Sequence, residues 1–473
     1  MGKEICPGLV ISAFKGGSGK TILSLGLTAT LAKKGIKIAP FKKGPDYIDA
    51  KWLGFASGTD CYNLDPYLMD KKIICASYLA HIKGADIAIV EGNRGLYDGV
   101  DELGSCSTAE LAKLLKLPVI LVIDCTKITR TVAALVLGCK LFDPDVKICG
   151  CVLNQVARLR HESIVTKTVE RYTDIKVLGA LPRLKQDPLP MRHLGVLPCE
   201  EHPKAKEVLD VISTLVSEHT DIDALINSAS IDPKLTWPLD KPSLYPVAQD
   251  GYLKRVKIGV FRDAAFQFYY PENFEALKAQ GAELYFLNAL NVDDISFLDA
   301  LYIGGGFPET QADRLIERQK LFDAIKKFAD KGRPIYAECG GLMFLGKKIS
   351  FKGIDYDMVG IFPWTFSVGR KPQGHGYTIL EVERDSGFYK KGDIIRGHEF
   401  HYSKPIDLEE QESKDIVFTC KVKRGHGFNG KLEGALYKNV FATYTHIHAL
   451  SKPCWAKRFV ELAFRIRENL LNL

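Results

Sequence analysis

No run of five or more basic residues occurs in this chain. Nucleic-acid binders carry their excess charge in such tails or stripes, so a dedicated nucleic-acid partner is not expected. Long hydrophobic runs are also missing. The longest, such as Leu117–Ile123, fall far below the ~18 residues that a membrane-spanning helix needs. Twelve cysteines are present, but no two CxxC motifs stand at zinc spacing. Cys149-x-Cys151 lies in an apolar run and reads as buried small side chains. The start, Met1 to Cys6, lacks the basic-then-apolar order of a secretory leader. Myristoylation wants Ser or Thr where Cys6 stands. A soluble cytoplasmic protein with reduced thiols and no membrane partner is expected.

What is present is ordinary globular composition. Hydrophobic residues make up 46% and charged residues 26% of 473, which excludes a disordered, collagen-like or coiled-coil chain. The length suggests two or three domains. The net charge of +7 is thinly spread and suits small anionic substrates. Short apolar runs at Leu9–Phe14, Ile36–Phe41, Ile87–Val90, Val119–Ile123 and Ile148–Leu153 alternate with amphipathic stretches such as Thr21–Lys34 and Thr108–Leu115. That alternation predicts a doubly wound, mostly parallel α/β sheet. Pro233, Pro238, Pro242 and Pro246 break the pattern, which marks residues 231–254 as a linker between domains at 1–230 and 255–473. The alternation resumes with strands at Val256–Phe261, Ala282–Leu287, Ala300–Ile303 and Pro334–Ala337 and a helix at Asn273–Gln280. Beyond residue 350 helical patterns thin out. No internal repeat is found.

Two sets of residues carry chemistry. The first follows the first strand: Lys15, Gly16, Gly17, Ser18, Gly19, Lys20 and Thr21. Glycines let backbone N–H groups curl around phosphates, Lys20 suits the β- and γ-phosphates, and Thr21 suits Mg²⁺. The helix that follows adds its positive end. Phe14 replaces the pattern's first glycine, and Lys15-Gly-Gly resembles the deviant loop of the ParA/MinD and dethiobiotin-synthetase superfamily. Further polar clusters close the next strands: Asp46 and Asp49, Glu91 and Asp98, Asp124, and Asn154. Ligands in open α/β sheets bind at that edge, and carboxylates there can hold Mg²⁺.

The second set lies in the later half. Cys339 follows a strand and precedes Gly340-Gly341, the arrangement of an exposed nucleophile on a sharp strand-to-helix turn. The helix start is expected to lower its thiol pKa. Gly305 and Gly306, after another strand, could form an oxyanion hole with Gly340. A nucleophile of this kind needs a base, and His446 comes late in the chain.

Together these residues resemble the cobyrinic acid a,c-diamide synthase family, over nearly the whole chain. The matching segments are Lys43–Asp49, Glu91–Gly99, Arg192–Gly195, Arg262–Tyr270, Gly304–Glu309, Ala337–Gly341 and Gly397–Tyr402. The resemblance implies a dethiobiotin-synthetase-like P-loop ATPase domain followed by a class I glutaminase-like α/β domain. Cys339 would be the glutaminase nucleophile and His446 its base. Typical class I glutaminases carry Glu two residues after that His; here His448 stands there. Either a Cys–His dyad suffices, or a carboxylate from elsewhere supports His446.

The resemblance further implies a ligase that uses ATP, Mg²⁺ and glutamine to amidate two acetate carboxylates of a tetrapyrrole in cobalamin biosynthesis. A carboxylate must be phosphorylated before ammonia can displace its oxygen. Lys20, Thr21 and the cation Lys15 are assigned to phosphate and metal, with Asp49 and Glu91 first and Asp46 and Asp98 next for metal binding or activation. Asn154 is assigned to adenine. Arg192, His193, His398 and His401 are assigned to the macrocycle. An enclosed passage for ammonia is expected. Ni-sirohydrochlorin or hydrogenobyrinate would serve the same chemistry as cobyrinic acid. The sequence leaves open whether the chain forms a homodimer. A ParA/MinD-like switch ATPase fits Lys15, but the second half of the chain weighs against it.

Overall fold

The computed structural model describes residues 6–186, 188–189, 191–192, 195–229, 244–245, 255–406 and 415–472. His193 and, apart from Leu244 and Tyr245, the stretch 231–254 lie outside the described residues. The chain divides into two compact units, Met1–Leu244 and Tyr245–Leu473. Among the described residues no helix is long and apolar enough to cross a membrane.

In the first unit the strands are β1 (Gly8–Ala13), β2 (Ile38–Lys43), β3 (Tyr62–Leu64), β4 (Ile87–Glu91), β5 (Val119–Asp124), β6 (Ile148–Val156) and β7 (Val177–Pro182). They form one sheet in the order β3-β2-β4-β1-β5-β6-β7, with every neighbouring pair parallel. β-Branched and leucine side chains make the central strands apolar on both faces. Leu9, Ile11, Ile89, Ile120 and Val122 pack with Leu23, Leu27 and Leu31 of the helix Lys20–Lys33 and with Val216 of the helix Ala205–His219. Because all strands run one way, Ala13, Lys43, Glu91 and Asp124 end at one edge. Two short strands, β8 (Met191–Arg192) and β9 (Gly195–Val196), form a separate pair; the Arg192 side chain is outside the described residues.

The second unit holds β10 (Val256–Phe261), β11 (Ala282–Leu287), β12 (Ala300–Ile303), β13 (Ile335–Glu338), β14 (Lys348–Phe351), β15 (Ile354–Asp357), β16 (Thr365–Val368), β17 (Gly374–Val382), β18 (Ile394–His401), β19 (Ser403–Ile406), β20 (Ile416–Arg424), β21 (Leu432–Tyr437), β22 (Val440–Thr443) and β23 (His446–Ile447). One sheet runs β11-β10-β12-β13-β22-β21-β20-β17-β18-β23. It is parallel from β11 to β22 and antiparallel beyond. Successive side chains take opposite faces. Leu301, Ile303, Ile335 and Ala337 meet the helix Gln319–Asp330 through Phe322 and Ile325. Tyr302 and Tyr336 meet Trp455 and Phe459 of the helix Cys454–Leu471 on the other face. A smaller sheet, β15-β14-β16-β19, completes the unit. The final helix Cys454–Leu471 and the strands β3 and β7 were not legible as apolar runs.

Candidate active sites

In the first unit the loop after β1 turns into the helix Lys20–Lys33 through Gly19, whose φ of 97° is left-handed. A Cβ there would overlap the Asn154 amide, so the residue must be glycine on both counts. Asn154 is thereby placed under the loop: its Nδ2 donates to the Ser18 carbonyl at 2.9 Å. An amide spent on the loop fixes its shape, and strand pairing brings Asn154 level with Asp124. Lys15 is exposed and lies 3.6 Å from Asp124. Ser18 Oγ donates to the Lys15 carbonyl at 3.0 Å. Lys20 Nζ donates to the Arg94 carbonyl at 2.6 Å.

The acids expected around Thr21 do converge, and with them a residue that the sequence reading passed over. Thr21 Oγ1 donates to Glu91 Oε1 at 2.8 Å and stands 3.5 Å from Asp49 Oδ2. Lys42 Nζ lies 2.7 Å from Asp49 Oδ2, 2.8 Å from Glu91 Oε1 and 3.8 Å from Asp46 Oδ2. Lys42 is 2% exposed and Glu91 fully buried. The two are direct partners on β2 and β4. The signal that could have found Lys42 is strand alternation: Lys42 and Lys43 must point to opposite faces. Burial opposes the Lys42 charge, yet Asp49, Glu91 and Asp46 hold its ammonium well above the usual lysine range. Burial raises Asp49, but the Lys42 ammonium outweighs it and holds that carboxyl below its usual value. Burial, then the Asp49 charge, push Asp46 up to about 7. Burial also raises Glu91 and, with Lys42, lowers Lys20. Asp46 Oδ1 accepts from the Asp49 N–H at 2.9 Å, which starts the helix Ile48–Ser57. Asp98 is exposed, and its Oδ2 accepts from the Gly95 N–H at 2.8 Å.

The donor set around Thr21 is all oxygen, which fits Mg²⁺. Glu91 Oε2 is buried with no hydrogen-bond partner, a free acceptor at that point. Among the described residues no group of three or more His, Cys, Asp or Glu could hold a metal by itself. Mg²⁺ at nucleotide sites takes only one or two carboxylates and completes its shell with phosphate and water. Thr21, Asp49 and Glu91 meet that demand.

In the second unit β13 ends in Glu338, and Cys339 follows at φ 47°, ψ −100°. Such a backbone costs about 1–3 kcal/mol in a non-glycine residue. The Cys339 N–H donates to the Thr443 carbonyl at 2.7 Å, which ties the turn to β22. The thiol is 5% exposed. Burial, then Glu309, push its pKa far up against the Gly340 N–H. The helix start does lower the pKa, through the Gly340 N–H, but burial outweighs it. Proton removal falls to a base.

His446 is 2% exposed, and its Nδ1 lies 3.3 Å from Glu338 Oε2. The other Glu338 oxygen accepts from the Ile447 N–H at 3.4 Å. Burial raises the Glu338 carboxyl against the pull of His446. Of the two alternatives left open by the sequence, the structure brings a carboxylate to His446, from beside Cys339 itself. Gly305 borders the ring, where any Cβ would overlap His446 Cε1. A Cβ on Gly340 would stand 3.1 Å from the Gly306 nitrogen, so these two turns meet.

The histidines assigned to the macrocycle, His398 and His401, are both buried in the second unit. His398 is 5% and His401 3% exposed. His398 stacks on His446 with ring centres 5.0 Å apart and planes 24° apart. Burial, then His446, hold His398 neutral. His401 stacks on Tyr444 at 3.8 Å, and its Nδ1 meets the Ser403 carbonyl at 2.8 Å. Both belong to the interior of the second unit. His448, in place of the usual Glu, pairs with Glu272 at 3.4 Å.

Comparison with known proteins matches residues 9–196 to the CobQ/CobB/MinD/ParA nucleotide binding domain and residues 257–454 to the CobB/CobQ-like glutamine amidotransferase domain. Cobyrinate a,c-diamide synthase of Magnetococcus marinus is 40% identical over 95% of this chain and 96% of its own length. The synthase of the same name from Archaeoglobus fulgidus is 39% identical over 97% of this chain and 98% of its own. That of Listeria monocytogenes is 38% identical over 93% of this chain and 96% of its own. The chain belongs to the cobyrinate a,c-diamide synthase family, as a glutamine-hydrolysing amidoligase with a nucleotide-binding unit and a glutamine amidotransferase unit.

Proposed function

We propose that this protein uses ATP and glutamine to convert the a- and c-acetate carboxylates of cobyrinic acid to amides in cobalamin biosynthesis. The observation that carries this reading is one chain with both halves of the chemistry: a phosphate loop facing clustered acids, and a strained Cys339 beside the Glu338–His446 pair. Near-full-length likeness to synthases of that name supports the substrate.

In the second unit His446 takes the Cys339 proton, and the thiolate sulfur attacks the side-chain amide of glutamine. Glu338 keeps His446 Nδ1–H oriented and stabilises the imidazolium that forms. The N–H groups of Gly306 and Gly340, with Gly305 keeping the wall thin, stabilise the developing oxyanion. His446 then protonates the leaving ammonia, and water releases glutamate from the sulfur.

In the first unit the loop amides from Lys15 to Thr21 bind the phosphates, and Lys20 exchanges the Arg94 carbonyl for the β- and γ-phosphates. Thr21, Asp49 and Glu91 would hold Mg²⁺, which when bound neutralises charge on the transferring phosphoryl group. Lys15, paired to Asp124 at rest, supplies a second mobile cation. A substrate carboxylate oxygen attacks the γ-phosphate, ADP leaves, and ammonia displaces phosphate from the acyl phosphate. Asp46 and Asp98 shape the backbone turns at this edge. A role for Arg192 and His193 at the macrocycle rests on the resemblance.

The test incubates the protein with ATP, Mg²⁺ and glutamine, with cobyrinic acid and Ni-sirohydrochlorin in separate tubes. Mass spectrometry follows the ~1 Da loss per carboxylate converted to amide, a loss fixed by exchanging OH for NH₂ in the balanced reaction. Two such losses on cobyrinic acid, lost with glutamine but kept with ammonia in Cys339→Ala, support the proposal. Losses on Ni-sirohydrochlorin alone would move the substrate. No loss on either, with ATP still hydrolysed, would sink it.

A further inference from the structure

Lys42 bridges two of the carboxylate oxygens assigned to the metal. Its ammonium is 2.7 Å from Asp49 Oδ2 and 2.8 Å from Glu91 Oε1. The Thr21 hydroxyl addresses these same two oxygens, at 3.5 and 2.8 Å. The Gly92 carbonyl lies 3.5 Å from Nζ. Glu91 Oε2, by contrast, is buried and unpartnered. Carboxylates this close, Glu91 buried and Asp49 partly so, repel each other unless a cation lies between them. Lys42 is the cation in ion-pair contact with both.

We infer that Lys42 is a resident counter-cation of the metal site: it keeps Asp49 and Glu91 together when no metal is bound, and a divalent ion gains Asp49 Oδ2 and Glu91 Oε1, the two oxygens the lysine holds, by displacing it. The inference rests on the proposed reading of Thr21, Asp49 and Glu91 as metal ligands. Mg²⁺ binds oxygen at about 2.0–2.1 Å, so a metal on Asp49 Oδ2 and Glu91 Oε1 would crowd an ammonium already in contact with both. Two cations at that separation in a water-poor site repel strongly. Asp46 Oδ2, 3.8 Å from Nζ, offers the displaced ammonium a further carboxylate. The protein therefore holds free metal poorly. Metal enters with the nucleotide, whose phosphates add the negative charge that lets two cations share the edge. The arrangement restrains the acids from taking up metal before there is a nucleotide to act on.

The probe is Mn²⁺, followed by electron paramagnetic resonance on the full-length protein without nucleotide. Lys42→Met is expected to bind one Mn²⁺ roughly tenfold or more tighter than the parent, because the resident competitor is gone. Adding Glu91→Gln to Lys42→Met should abolish the gain. Mg²⁺ alone should raise the melting temperature of Lys42→Met more than that of the parent. Lys42→Gln, which keeps hydrogen-bond donors without charge, repeats the test should Lys42→Met misfold. Retained glutamine hydrolysis certifies the fold of the second unit, and circular dichroism that of the whole. Equal or weaker Mn²⁺ binding by the folded neutral variants overturns the inference but leaves the metal site standing. No Mn²⁺ site in any variant, with or without a non-hydrolysable ATP analogue, removes the metal reading and the inference with it.

Discussion

Glu338 adjoins Cys339 along the chain and His446 in space, across 108 residues of sequence. Its carboxylate can hold the imidazole in the tautomer that accepts the thiol proton. Glu338→Gln preserves size but offers an amide. By analogy with orienting acids in other triads, glutamine-dependent kcat should fall about 10²–10⁴-fold, with amidation from added ammonia unchanged; steady-state kinetics with the two nitrogen sources checks this. A second buried acid, Glu433, tests the cost of burial. Its Oε1 accepts from the Gly434 and Tyr444 N–H groups at 2.9 and 3.2 Å, and Oε2 is unpartnered. Burial pushes its pKa from 4.5 up to about 8. The unfolded chain loses this proton near pH 4.5 and the folded chain only near 8, so the folded state binds the extra proton in between. Stability must then fall as pH rises through that window. Glu433→Gln keeps the accepting oxygen and removes the titration. Urea denaturation should find the variant gaining on the parent from pH 5 to 8, by roughly 2–4 kcal/mol at the upper end.

Elements decide what these residues can touch. The antiparallel pair β18–β23 sets His398 opposite His446, and the stacked rings follow from that register. A neutral ring against His446 offers a flat, polarisable face to the imidazolium formed during catalysis. His398→Phe should keep most glutamine hydrolysis because it keeps the stack. His398→Ala should lose about tenfold or more through a misplaced base, seen in kcat with KM little changed. On the other side of His446, the turn after β12 comes so close that Gly305→Ala would push the ring aside. That variant should lose glutaminase activity while ATP binding, measured by calorimetry, stays as in the parent. The turn after β1 obeys the same logic, since Gly19 carries both a left-handed φ and the Asn154 contact.

At the scale of the whole molecule, the reaction divides between two units with separate cores. Thr21→Val should abolish amidation with either glutamine or ammonia as nitrogen source and leave basal glutamine hydrolysis measurable. Cys339→Ala should abolish only the glutamine-dependent reaction. A mass-spectrometric amidation assay and a glutamate-release assay on both variants test the division. Trp455, fully buried between β12, β13 and its own helix, anchors the second unit. Trp455→Ala should cost about 3–5 kcal/mol, read by chemical denaturation.

The sequence by itself determined whatever depends on neighbours along the chain. The glycine loop before Lys20, the strand-to-helix turn at Cys339 and the alternation of apolar runs are local patterns, because turns and strands are built from consecutive φ and ψ angles. Full-length family resemblance carried the two-unit architecture further. Only the tertiary structure decided which distant side chains meet. It paired Glu338 with His446, put Lys42 among Asp49, Glu91 and Asp46, set Asn154 beneath the phosphate loop, and stacked His398 on His446 and His401 on Tyr444. Strand pairing and side-chain direction fix those meetings, and both depend on how segments far apart in sequence pack. Packing then set the charges: burial raised the Cys339 thiol, while the carboxylates packed around Lys42 kept it cationic against burial, which no reading of residue types could have assigned.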